Sequence, residues 1–170
     1  VGSEMCIRDR YGRVWRLRPK GKALALKENL GKATVKELAQ ALADDNPWRR
    51  STAQRVLLER NGRGARDLLA RLIQTEGVAP SGVIRALQTL KSLKSLESSD
   101  VMVALNHENY GVRVHGLRLA EQWLDSDETL RSRLITMSQD PDSRVRLQLA
   151  MTLGESKDTW SVEPLRDLAE

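Results

Sequence analysis

The chain has 170 residues, of which 40% are hydrophobic, 30% are charged and 4% are aromatic, with no Phe. Packing therefore has to rely on Leu, Ala and Val, which suits stacked helices better than a β-sandwich. A single cysteine excludes an internal disulfide and a zinc site built on several cysteines. No run of about 18 apolar residues occurs, so the sequence predicts no transmembrane helix.

The formal net charge of +5 is distributed unevenly along the chain. Residues 1–32 carry nine Lys or Arg and three Asp or Glu, whereas residues 33–170 carry nineteen and twenty. A nucleic-acid-binding surface needs a basic stripe along the face that meets the phosphates. The nearly neutral larger part of the chain argues against such a surface, and we predict no nucleic-acid partner.

The first ten residues, VGSEMCIRDR, resemble the translated read-through of a sequencing adapter. We expect residues 1–10 to be non-native sequence, with an ordinary N-terminal tail as the alternative. The alternation in YGRVWRLR then predicts a short strand, and a linker rich in Lys follows it. Because a lone strand needs partners, we expect residues 11–32 to be the end of a preceding β domain plus a basic linker, or else a simple tail.

From residue 33 onwards the pattern becomes helical. Val35, Leu38, Ala39 and Leu42 have the spacing of one helix face, and the sequence DDNP then ends this helix and caps the next. The short turns between the predicted helices make neighbours antiparallel. The remaining predicted helices span residues 47–60, 65–75, 81–96, 99–106, 110–124, 128–139, 142–155 and 159–170.

A similar sequence pattern at the start of a predicted helix recurs about every thirty residues in this region. Arg50, Val83, Arg113 and Arg146 occupy the same place in successive predicted hairpins, with intervals of 33, 30 and 33 residues. Small or apolar residues follow each of them at the third and seventh positions, which keeps these residues on one helix face. Self-similarity at such a period is typical of solenoids, in which each unit stacks on its neighbours.

The second helices, NPWRRSTAQRVLLER, NYGVRVHGLRLAEQ and DPDSRVRLQLAMTLGE, resemble those of the HEAT repeat in its short bacterial form. The resemblance covers residues 33–170, and the second repeat departs from it because Val83 replaces the expected Arg. The predicted fold is thus all-α: an α-solenoid of stacked antiparallel helical hairpins with a short N-terminal extended segment. We expect residues 33–170 to be a HEAT-repeat array that is truncated at its C-terminus.

A wider resemblance rests on YGRVWRL, the linker and the first repeat, NPWRRSTAQRVLLERNGRGA. This order is similar to bacterial membrane-bound dehydrogenase-like proteins, which combine a β-propeller, HEAT repeats and a c-type cytochrome. The resemblance implies a periplasmic or extracytoplasmic parent that binds haem c. This chain contains no Cys-x-x-Cys-His motif, so any haem site would lie elsewhere in that parent.

The sequence offers no set of residues for catalysis. Its two histidines, His107 and His115, lack cysteine or paired carboxylate neighbours at metal-ligand spacing, and no phosphate-binding loop or nucleophile motif occurs. We therefore predict no catalytic, cofactor-binding or metal-binding residue in this segment and no enzymatic activity of its own. The expected role is a protein-docking scaffold between a propeller and a cytochrome; a stand-alone HEAT-repeat adaptor is the alternative.

The recurrent arginines have two interpretations. In HEAT arrays such an arginine commonly bonds to an acidic or carbonyl partner in the adjacent repeat, which makes it structural. The alternative is that six side chains lie in a concave groove and hold an acidic protein segment: Arg50, Arg85, Arg113, His115, Arg118 and Arg146.

The large aromatic residues and the last helix complete the predictions. We expect Trp48, Tyr110, Trp123 and Trp160 to pack between repeats, with a binding anchor as the alternative. At the C-terminal end no further repeat covers the last helix, so Val162, Leu165 and Leu168 are predicted to be exposed.

Overall fold

The computed structural model describes residues 29–169. Within this range the chain forms nine α-helices and three short 3₁₀ helices and contains no strand. The all-α prediction is therefore confirmed for these residues. The predicted strand and basic linker up to residue 28 lie outside the described residues.

The α-helices are α1 (Val35–Ala41), α2 (Pro47–Glu59), α3 (Arg66–Gln74), α4 (Pro80–Ser92), α5 (Ser98–Leu105), α6 (Tyr110–Ala120), α7 (Glu128–Thr136), α8 (Ser143–Leu153) and α9 (Val162–Ala169). The 3₁₀ helices Glu121–Trp123, Met137–Gln139 and Thr159–Ser161 extend α6 and α7 and precede α9. Most bounds lie within one or two residues of the predicted ones, apart from ends that continue as 3₁₀ turns.

The largest error in the predicted helix ends is at α4, which we expected to reach residue 96. It ends at Ser92, because Lys94 adopts a left-handed conformation with φ of 54°. The N–H of Ser95 then bonds to the carbonyl of Leu90 and that of Lys94 to the carbonyl of Lys91. These two bonds form a Schellman motif, which usually has Gly at the left-handed position. Because Lys94 and not glycine occupies this position, the sequence pattern did not predict this helix end.

The helix starts follow the capping rules. The side chains of Asn46, Asn109, Asp127 and Asp142 each accept a backbone N–H in the first turn of the helix that follows. Thr34 and the first turn of α1 form a reciprocal capping box. These local bonds explain why the polar turn residues allowed the helix starts to be predicted from the sequence.

Packing contacts connect the helices in two rows. The first-helix row consists of α1, α3, α5 and α7, each in contact with the next member, and the second-helix row consists of α2, α4, α6 and α8 in the same way. Within hairpins, α1 packs on α2, α3 on α4 and α5 on α6, while the 3₁₀ turn after α7 packs on α8. Helix α9 continues the order by packing on α8 and on that 3₁₀ turn.

Leucine and small apolar residues fill the space between the rows. The largest side chains with almost no exposure include Leu38, Leu57, Leu87, Leu117 and Leu134. Full burial of a leucine side chain stabilises a fold by about 1.5–3 kcal/mol.

At the C-terminal end, Val162 is 63% exposed, whereas Leu165 and Leu168 are half-buried against the core. The predicted exposure is thus confirmed for Val162 and only partial for the two leucines.

Candidate interaction surfaces

The recurrent arginines lie at the ends of the hairpins and bond to the turn before their own helix. Arg50 Nη1 donates to the carbonyls of Asp44 at 2.7 Å and Asp45 at 3.0 Å. Arg146 Nη1 donates to the carbonyl of Asp140 at 2.6 Å. The structural interpretation predicted a partner in the adjacent repeat, but the observed bonds of Arg50 and Arg146 lie within their own hairpin. A side chain at this position reaches back five or six residues and satisfies carbonyls that no helix bond can use.

Arg113 makes the same bonds and also joins two hairpins. Its Nη1 donates to the carbonyls of His107 at 2.9 Å and Glu108 at 2.7 Å. Its Nε and Nη2 donate to the two carboxylate oxygens of Asp140, in the turn of the next hairpin, at 2.8 and 2.9 Å. This bidentate pair is largely buried. Arg113 is therefore the recurrent arginine that combines the turn contact with the predicted inter-repeat contact.

The other predicted arginines lie along the second-helix row. Arg85 on α4 donates to Gln54 Oε1 on α2 at 2.7 Å, and Arg118 on α6 donates to Gln148 Oε1 on α8 at 2.8 Å. Both bonds connect neighbouring hairpins. Because the partners are neutral amides, these bonds leave the positive charges of both guanidinium groups uncompensated.

His115 lies between these two contacts on α6. Its Nδ1 is buried and has no hydrogen-bond partner among the described residues. Burial lowers the pKa of His115, and the nearby positive charge of Arg118 lowers it further. The neutral imidazole is therefore the favoured form in the fold.

One face of the second-helix row is directed to solvent, and we call it the second-helix face. On each helix it comprises four residues spaced as i, i+3, i+4 and i+7, which share one helix side. Of the sixteen, Gln148 is buried and the others are half-buried or exposed. The residues are Trp48, Ser51, Thr52 and Arg55; Ser81, Ile84, Arg85 and Gln88; Gly111, Val114, His115 and Arg118; and Arg144, Leu147, Gln148 and Met151.

This face is basic and partly apolar. It contains four arginines and no Asp or Glu. Leu147 and Met151 are 63% and 61% exposed at its α8 end, and Trp48 is 65% exposed at its α2 end. Arg55 pairs with Glu59 and Arg144 pairs with Asp142, whereas no described carboxylate pairs with Arg85 or Arg118. Exposed large apolar side chains on a face that also carries unpaired arginines are typical of surfaces that bind another molecule.

The six predicted site residues thus separate into two groups. Arg85, His115 and Arg118 belong to the second-helix face, whereas the guanidinium groups of Arg50, Arg113 and Arg146 bond to turn carbonyls at the hairpin ends. The hydrogen bonds of these six residues therefore do not join them into one cluster.

Sequence reasoning missed several residues that join the hairpins. Gln54, Gln148 and Asp140 accept the arginine bonds described above. Among the first helices, Arg66 pairs with Asp100 and Glu97 across neighbouring hairpins, and Arg133 Nη2 donates to the carbonyl of Leu105. The signal that these pairs share is the interval between partners, which ranges from 27 to 34 residues and so lies close to the 30 to 33 residues between the recurrent positions.

Of the four large aromatic residues considered above, two pack against the core and two are exposed. Trp123 and Trp160 pack partly buried against the core, as predicted. The packing prediction is wrong for Trp48, since its position in the first turn of α2 directs it to solvent. Tyr110 stacks under the guanidinium of Arg144, 3.4 Å from the ring centroid. Arg144 also bonds to Asp142 and lowers the pKa of that carboxyl to about 2.

Among residues 29–169, the His, Cys, Asp and Glu side chains form no group of three or more that could hold a metal ion. The same part of the chain contains no helix with the length and hydrophobicity needed to cross a lipid bilayer. Comparison with known proteins gives no match, whether with family models, curated proteins or solved structures.

Proposed function

We propose that residues 33–169 form an α-solenoid of HEAT-type hairpins that serves as a non-catalytic protein-docking scaffold. The two rows of helices and the recurrence of the arginine-to-turn contact in three hairpins support the repeat assignment. In such arrays each repeat contacts its neighbours and the rows build an extended binding surface.

The observation that carries the docking role is the charge of the second-helix face. Its sixteen residues include four arginines and no acidic residue. Arg85 and Arg118 bond to neutral glutamine side chains, whereas Arg55 and Arg144 pair with Glu59 and Asp142 beside the face. A partner that places carboxylates opposite these guanidinium groups would gain charge-assisted hydrogen bonds. Apolar side chains of the same partner would cover Leu147 and Met151.

The proposed occupant is therefore an acidic, amphipathic segment of a protein. A helix of this kind presents carboxylates and leucines on one side at intervals of three and four residues, so it offers both charged and apolar groups to the second-helix face. Arg85 and Arg118 would contact its carboxylates.

A fluorescein-labelled model helix with Glu and Leu at these intervals tests the proposal by fluorescence anisotropy. The full chain should bind this peptide, and the peptide with Gln in place of each Glu should bind at least about tenfold more weakly. The double variant Arg85→Gln, Arg118→Gln should lose binding of the acidic peptide. Arg71→Gln, which changes an exposed arginine on the first-helix row, is the matched control and should bind normally.

Thermal melting of the same variants distinguishes the structural interpretation from the docking one. If the double variant melts at a lower temperature and binds the acidic peptide as before, the arginines are structural and the docking proposal is wrong. Equal binding of the Glu and Gln peptides would lead to the same conclusion. The proposal requires weaker binding by a variant that still folds.

We also propose that this scaffold belongs to an extracytoplasmic redox protein, in which it sets the distance between a dehydrogenase-like propeller and a c-type cytochrome. The resemblance of YGRVWRL and the first repeat to that junction supports this proposal. The complete reading frame of the gene is the test: a propeller before the repeats and a Cys-x-x-Cys-His after them are expected. A frame with neither would favour the stand-alone adaptor.

A further inference from the structure

The second hairpin lacks the arginine that the other three carry. Val83 occupies that position, is 1% exposed and belongs to the core. By position, the carbonyls that a guanidinium contacts in the other hairpins correspond here to those of Gly77 and Val78. No hydrogen bond reaches these two carbonyls from any described residue. The turn containing them, residues 75–79, has the same length as the turn at residues 42–46.

A groove of about 700 Å³ lies at this place, between the ends of the second and third hairpins. Ile73, Val78, Met102 and Val103 supply apolar side chains to it. The other lining residues include two carboxylates and a histidine but no Lys or Arg: Gln74, Thr75, Glu76, Gly77, Asn106, His107 and Glu108. The groove is therefore lined by two turn residues whose carbonyls accept no hydrogen bond from a described residue, by two carboxylates and by an apolar wall.

We propose that this groove binds the guanidinium group of an arginine side chain from a partner protein. The same chain shows which group such carbonyls take, because Arg50 and Arg113 each donate from one nitrogen to two successive turn carbonyls. Glu76 and Glu108 match the charge of a guanidinium, and the apolar wall fits the methylene part of an arginine. The partner's arginine would supply the guanidinium group that this hairpin lacks because Val83 replaces the recurrent arginine.

This site is separate from the second-helix face. Its lining comes from α3, α5 and the turns that follow them, and it shares no residue with that face. The second-helix face takes an acidic partner, whereas the groove takes a cationic side chain. Failure of one proposal therefore leaves the other intact.

The test is an NMR titration of the ¹⁵N-labelled full chain with the blocked tripeptide acetyl-Gly-Arg-Gly-amide. The amides of Gly77, His107 and Glu108 should shift on binding. The citrulline tripeptide has nearly the same shape without the charge and should bind at least about tenfold more weakly. The lysine tripeptide should also bind more weakly, because its point charge lacks the planar fork.

Variants define the groove further. The double variant Glu76→Gln, Glu108→Gln should weaken binding of the arginine tripeptide at least about fivefold, and Val103→Lys should abolish it by placing a cation in the groove. Glu128→Gln, an exposed glutamate at the start of α7, is the control and should bind like the parent chain. Equal binding of the arginine and citrulline tripeptides, or shifts confined to residues outside the groove, would overturn the proposal.

Discussion

Arg113 and Asp140 stand 27 positions apart and form a bidentate ion pair that joins the third hairpin to the fourth. The side chains are only 11% and 6% exposed, so water screens the pair weakly. The same guanidinium also holds two carbonyls of its own turn. One side chain thus fixes both the shape of a hairpin end and its position against the neighbour.

Truncation of Arg113 should therefore be costly. Arg113→Ala leaves the Asp140 carboxylate unpaired in a buried place, and we expect a loss of about 3 kcal/mol in the free energy of unfolding. Arg55→Ala breaks an exposed pair with Glu59 on one helix and should cost less than about 0.5 kcal/mol. Urea denaturation of both variants measures the difference. Equal losses would show that the buried pair adds nothing.

Replacement of Lys94 by glycine should stabilise the chain. Lys94 has φ of 54°, a conformation that glycine adopts without steric cost, and Lys94→Gly should add about 1 kcal/mol to the free energy of unfolding. Lys91→Gly, three residues earlier within α4, should instead lower stability by about 1 kcal/mol. Chemical denaturation decides the sign, and a destabilised Lys94→Gly variant would contradict the Schellman assignment.

Substitutions of Gly62 and Gly64, two glycines of one turn, should distinguish the cost of backbone strain from the cost of steric overlap. Gly62 and Gly64 both have positive φ, but a Cβ on Gly62 would lie 2.8 Å from Leu93 Cδ2, whereas one on Gly64 meets nothing within 4 Å. Gly64→Ala should cost about 1–2 kcal/mol from the backbone alone. Gly62→Ala should cost about 1–3 kcal/mol more, because Leu93 has to move. Similar melting temperatures for the two variants would argue against the Leu93 contact.

His115 should make stability depend on pH. Burial lowers its pKa in the folded state below the ordinary value of 6.5, so the unfolded chain binds the proton more readily. Its stabilising contribution is therefore present above pH 6.5 and is lost as the pH falls from there through the folded pKa. The urea midpoint of the parent chain should therefore fall between pH 7.5 and pH 5, and that of His115→Gln should change less over the same range. An unchanged slope would contradict it.

The helices could be predicted because their signals are local. Asn46 and Pro47 mark a helix start within two residues, and the spacing of Leu38 and Leu42 marks one helix face. The end of α4 could not be found this way, since Lys94 carries no sequence sign of a left-handed conformation.

The contacts of the candidate site were predicted less completely. Arg85 and Arg118 were identified, but their partners Gln54 and Gln148 depend on how one helix registers against the next. Arg50 was expected to bond to a neighbouring hairpin, and its observed bonds stay within its own turn. The proposed guanidinium site at Gly77 rests on the replacement of the recurrent arginine by Val83, and the consequence of that replacement is evident only when the turns of the four hairpins are compared in the structure.

Among the described residues, the side-chain bonds that join one hairpin to another connect positions 27 to 35 residues apart, from Arg113 with Asp140 to Thr152 with the carbonyl of Leu117. No bond of this set ties the first hairpin to the fourth. Under tension applied to the two ends, the molecule should therefore unzip stepwise instead of breaking at once. Each detached hairpin of about thirty residues would release roughly 100 Å of extended chain, a step size that a force spectrometer resolves.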